Sequence, residues 1–83
     1  MATWDEVFCV VREQAVIVMP GLGADVVTPD VSLSDIGANS LDRMDIVVAS
    51  QDALGITVPA AAFGDAGNVR QLVDVLHGYC GTP

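Results

Sequence analysis

Between two apolar-patterned segments lies "PGLGADVVTPDVSLSDIGAN", residues 20–39, and no other stretch restricts the fold of this chain as much. Pro20 and Pro29 remove backbone donors, while Gly21, Gly23 and Gly37 punctuate the chain, so no long helix runs through it. The spacing predicts a long structured loop with one short turn near Leu33 to Ile36. A loop of this length in a compact domain is often functional. The elements on either side must pack together across it.

Those elements read as helices. Thr3 and Glu6 have the spacing of a capping box, and Trp4, Val7, Phe8, Val11, Ala15 and Val18 recur behind them at helical intervals. The pattern predicts a helix over 4–19, stopped by "MPGLG". A second helix is expected over 41–54, capped by Asn39 or Ser40 and ended by Gly55. "ITVP" is extended, either a strand or, given Pro59, a loop. A short helix is expected over 60–64. Asn68 then caps a last helix over 69–77 that turns Val69, Leu72, Val73 and Leu76 inward, with fraying from Gly78 onward. Only four residues are aromatic although 52% are hydrophobic, and a core of Val, Ile, Leu, Ala and Met suits packed helices. The expected fold is all-α: residues 1–83 as a single domain, a small bundle of three main helices plus one short helix.

Charge removes several function classes. Eleven acidic residues face three arginines, and the net charge of −8 repels nucleic acid and anionic lipid; it favours basic patches on protein partners. No apolar run is long enough to span a membrane. "MATWDEVF" lacks the positive region of a signal peptide, so the expected compartment is the cytoplasm. Cys9 and Cys80 are expected to be free, buried thiols. Together with His77 they do not make a spaced metal site.

The second helix carries two apolar stripes. At about 100° per residue, Leu41, Met44 and Val48 fall within about 60° of one another. Ile46, Val47, Ser50, Ala53 and Leu54 cluster on the opposite side and form the natural core face. A surface helix needs only one such stripe. Either the helix is buried on both sides, or Leu41–Met44–Val48 is a docking strip edged by Asp45 and Asp52. The strip starts beside Ser40, which favours docking.

Ser40 is either a cap or a handle for modification. Asn39 can take over the capping, and a helix start tolerates a phosphate ester. A hydrolytic nucleophile elbow would need glycines where Ala38 and Asp42 stand, and a base that His77, near the chain end, does not supply. Self-contained catalysis is not expected; another enzyme must act on Ser40. A rival reading is a small helical adaptor whose strip binds a partner and whose Ser40 is only a cap.

"LSDIGANSLDRMDIV", residues 33–47, resembles the prosthetic-group motif of acyl carrier proteins, and the likeness extends through "GITVP" at 55–59 to the last helix. The resemblance implies an acyl-carrier-protein-like bundle and a non-catalytic carrier. It further implies 4′-phosphopantetheine on Ser40, added by a phosphopantetheinyl transferase from coenzyme A with Mg²⁺. Asn39, Leu41, Asp42, Arg43, Met44, Asp45 and Val48 become the partner-recognition residues. Most carriers have Asp before the serine, whereas this chain has Asn39. "GANSLDR" is similar to the free-standing donor carriers of polyketide β-branching cassettes. That likeness implies malonyl loading by an acyltransferase, decarboxylation to acetyl by a ketosynthase-like protein, and delivery to an HMG-CoA-synthase-like enzyme. The alternative within the family is a general polyketide or fatty-acid carrier. Arg43 opposes the helix dipole at a cost of about 0.3–1 kcal/mol, which fits a role in selecting one partner, unless Asp42 or Asp45 neutralises it.

Overall fold

A computed structural model describes residues 2–64 and 66–80. Three helices, α1 (Trp4–Val18), α2 (Ser40–Leu54) and α3 (Val69–Cys80), are joined by segments holding short 3-10 turns at Ala24–Val26, Ser34–Ile36 and Ala60–Phe63. The fold is all-helical, with no strand among the described residues, and "ITVP" is extended loop. Helices α2 and α3 both pack on α1.

Helix α1 starts where Thr3 and Glu6 cap each other's backbone, and Val7, Val11 and Ala15 form its buried stripe at four-residue spacing. Helix α2 contributes Ile46 and Ser50, and α3 contributes Val69, Leu72, Val73 and Leu76. Val27, Leu33, Ala38 and Val58 close the core from the loops. On α1, Trp4 and Phe8 stack at 5.7 Å between ring centroids, and the Trp4 indole N–H donates to Asp74 of α3 at 2.7 Å.

The long loop is pinned to the start of α3. The Val69 and Arg70 N–H groups donate to the Val31 and Pro29 carbonyls, both at 2.8 Å. Gln71 N–H donates to Asn68 Oδ1 at 2.8 Å, so the loop and the cap together satisfy the first turn of α3. The Ala24–Val26 turn adds a second short turn to the one expected near Leu33 to Ile36.

Three expectations change. Helix α3 continues through Gly78 to Cys80, because Cys80 lies one turn beyond Leu76 and packs against the core; the rest of the segment expected to fray, 81–83, lies outside the described residues. Cys9 is exposed and Cys80 half-buried, so the expected burial of both thiols fails, although both are free. Cys9 is two residues from Val7, about 200° around α1, and therefore faces away from the core. On α2, Ala53 is exposed rather than part of the core face, which narrows to Ile46 and Ser50 with Val47 and Leu54 at its margins.

Two stability predictions arise here. The Ser50 hydroxyl is fully buried and has no hydrogen-bond partner among the described residues. An unsatisfied buried polar group costs about 1–3 kcal/mol, so Ser50→Ala is expected to raise the free energy of unfolding by about 1 kcal/mol in a urea titration. A clear loss of stability would show that the hydroxyl has a partner in solution. Against a net charge of −8, the one ion pair among the described residues is the exposed Arg70–Asp30 contact at 3.0 Å. Salt screens self-repulsion more than it weakens one surface pair, so Tm should rise from low to moderate ionic strength. An unchanged Tm would contradict that.

Candidate functional site

The site is built at the start of α2. Gly37, at φ 100°, turns the chain in the left-handed region. A Cβ there would make only an ordinary 3.7 Å contact with Met19, so the backbone angle rather than space calls for glycine. Asn39 follows in extended conformation, and its Oδ1 accepts the Asp42 N–H at 2.8 Å. Asp42 Oδ2 accepts the Asn39 N–H at 3.3 Å in return. This reciprocal cap decides between the two candidates: Asn39 is the cap and Ser40 is the first helical residue.

Ser40 is therefore exposed with a hydroxyl free of capping duty. Its side-chain contact is with Arg43, whose Nη2 donates to Ser40 Oγ at 3.3 Å. Neither Asp42 nor Asp45 forms an ion pair with Arg43 within 4.0 Å. Asp42 is committed to the cap, and Asp45 is exposed on α2. The neutralised-arginine alternative has no ion pair behind it.

Leu41, Met44 and Val48 are 67%, 62% and 51% exposed. Helix α2 is thus not buried on both sides. Its second stripe is an uncovered apolar strip beginning one residue after Ser40, with Asp45 and Asp52 exposed alongside.

A cleft of about 500 Å³ borders the same helix, with Leu33, Val58, Phe63 and Leu72 among its apolar walls. Ser40, Met44, Val47 and Gln51 line it from α2 at i, i+4, i+7 and i+11, with Arg43 and Val48 flanking that face. Val47, expected on the core face, packs against the core and also lines the cleft; Gln51, Phe63, Asn68 and Leu72 are cleft residues that sequence reasoning missed. The helical spacing from Ser40 was the available signal for Gln51. Its Oε1 accepts the Val58 N–H at 2.8 Å and holds the segment after α2 against the cleft. His77 is in the last turn of α3 and does not line this cleft, so no histidine stands beside Ser40 there.

Comparison with known proteins bears on this arrangement. The family model for a phosphopantetheine attachment site matches residues 15–76, which include all of α2. The chain is 37% identical over 75 residues to acyl carrier protein 1, chloroplastic, of Spinacia oleracea, covering 89% of this chain and 51% of that protein. It is 36% identical over 63 residues to an acyl carrier protein of Guillardia theta, covering 72% of this chain and 78% of that one. The chain thus spans about half the length of the spinach relative. No solved structure matches significantly. No helix among the described residues is long and apolar enough to cross a membrane.

Proposed function

The chain belongs to the acyl carrier protein family, whose domain carries 4′-phosphopantetheine, and within it we propose Ser40 as the attachment residue and a donor role in polyketide β-branching. The observation that carries the attachment is the division of labour at the start of α2. Asn39 caps the helix, and that leaves the Ser40 hydroxyl exposed and free of capping duty beside an open cleft.

The residues present fit the group. The helix start supplies a positive dipole end, Arg43 supplies a cation, and both suit the phosphodiester that joins the arm to the protein. A phosphopantetheinyl transferase would join Ser40 Oγ to the pantetheine-side phosphorus of coenzyme A. The bond to the adenosine 3′,5′-bisphosphate portion breaks, and the hydroxyl proton leaves to a base on the transferase. When bound, the arm supplies a terminal thiol that holds acyl groups as thioesters.

The chain's own work is presentation. Leu41, Met44 and Val48 offer an apolar ridge that a partner can cover, and Asp45 adds charge for a basic patch on that partner. Asn39, Asp42 and Arg43 distinguish this edge from a uniformly acidic one. The proposed partners are an acyltransferase that loads malonyl and a decarboxylating ketosynthase-like protein that releases CO₂ to leave acetyl. An HMG-CoA-synthase-like enzyme then joins the acetyl methyl carbon to a β-keto group on a second carrier. The donor role is supported by the Ala38–Asn39–Ser40–Leu41–Asp42–Arg43 pattern.

The donor role is tested by offering the loaded carrier to an HMG-CoA-synthase-like enzyme and, separately, to a chain-extending ketosynthase. Preferential use by the first is expected. Preferential use by the ketosynthase would return the chain to general carrier duty.

A further inference from the structure

The three arginines of this chain are not equivalent. The Arg12 guanidinium sits over the Phe8 ring at 5.1 Å. Arg70 pairs with Asp30 at 3.0 Å and lies 6.0 Å from the Trp4 ring centroid. Arg43 has neither a carboxylate nor an aromatic ring among its contacts with the described residues; its side chain reaches Ser40 Oγ alone. It also lies in the first turn of a helix, where the dipole disfavours a cation. The chain carries a net charge of −8, yet neither nearby carboxylate on α2, Asp42 or Asp45, pairs with it.

We infer that Arg43 is a positioning residue for the prosthetic arm, its guanidinium clamping the phosphodiester formed on Ser40. This rests on the reading of Ser40 as the attachment residue. Phosphorus is bonded directly to Oγ in that linkage, so its non-bridging oxygens come within reach of a donor already 3.3 Å from Oγ. The guanidinium presents several donors in one plane and matches a phosphate with two acceptor oxygens. The phosphodiester brings the missing counter-charge, and the helix start reinforces it.

The clamp also has a direction. Going around α2, Arg43 lies on the opposite side of Ser40 from Leu41, and it lines the cleft. A phosphate held there draws the root of the arm toward the cleft and away from Leu41, whereas Met44 and Val48 border cleft and strip alike.

The test compares the apo protein with the phosphopantetheinylated protein, prepared with excess transferase and verified by intact mass. In proton–nitrogen spectra, the Arg43 Nε–H signal is expected to move on loading while those of Arg12 and Arg70 stay in place. The ³¹P signal of loaded Arg43→Gln is expected to differ from wild type, with Arg43→Lys between them, and circular dichroism unchanged across the set. Full loading with an unmoved Arg43 signal and identical ³¹P signals in wild type and Arg43→Gln would overturn the clamp and leave the attachment reading standing. Absence of any mass gain in wild type would overturn both.

Discussion

Replacing Ser40 with alanine is expected to abolish phosphopantetheine loading while leaving the domain folded. Helix α2 is capped by Asn39 through the Asp42 N–H at 2.8 Å, so the serine hydroxyl is not needed to start the helix. Ser40 is exposed, and surface substitutions outside caps and cores change stability by about 0.5 kcal/mol or less. Asn39→Ala should behave in the opposite way. Loss of the cap costs about 0.5–2 kcal/mol, yet the hydroxyl that accepts the arm is retained. Paired measurements of mass gain and thermal unfolding separate these outcomes. If Ser40→Ala melted well below wild type while Asn39→Ala did not, the serine would be the structural residue and the division of labour would be reversed.

The second large effect concerns the two faces of α2. Ile46 is fully buried among residues of all three helices and the loops, and Ile→Ala at such a site costs about 2–5 kcal/mol. For a domain of this size each kcal/mol lowers Tm by about 4–8 °C, so Ile46→Ala should lose about 8–40 °C or fail to fold. Met44 lies two residues earlier and is 62% exposed. Met44→Ala should leave the unfolding curve close to wild type. If Met44 sits at the centre of the partner contact, its truncation removes about 1–2 kcal/mol of binding, which is roughly five- to thirty-fold in Kd. Calorimetric unfolding and titration against the transferase or a partner enzyme report the two effects independently. Equal binding by wild type and Met44→Ala would move the docking surface off this strip.

What the sequence disclosed follows the range of the interactions concerned. The cap of α1 was legible because Thr3 and Glu6 act on each other's backbone across three residues. Gly55 could be read as the end of α2 because a left-handed residue, here at φ 68°, favours glycine. The strip of Leu41, Met44 and Val48 was visible as a periodicity, but burial on both sides was an equal alternative until the packing around α2 was known. Longer-range features were hidden. The loop is tied to α3 through the carbonyls of Pro29 and Val31, and a backbone acceptor leaves no mark in the side-chain pattern. Helix α3 passes Gly78 because Cys80 gains contact with the core, a tertiary term that outweighs the local preference of glycine.

The same distinction holds at the site. Ser40 stood out by its motif, but which of two adjacent residues caps α2 is a matter of backbone geometry, and Asn39 takes the role with its extended conformation. Arg43 was recognisable as a cation set against the helix dipole; that it reaches the serine oxygen rather than a carboxylate is set by side-chain geometry that the sequence does not carry. The cleft combines Gln51 of α2 with Phe63 and Leu72 from distant parts of the chain, and only the fold brings them together.

The most direct test is localisation of the modification in the wild-type protein. The chain is incubated with a promiscuous phosphopantetheinyl transferase, Mg²⁺ and coenzyme A, digested, and mapped by tandem mass spectrometry. One phosphopantetheine unit per chain is expected, on the peptide containing Ser40, with Ser32, Ser34 and Ser50 unmodified. A unit found on another residue, or none on a folded protein beside an active carrier control, would contradict it.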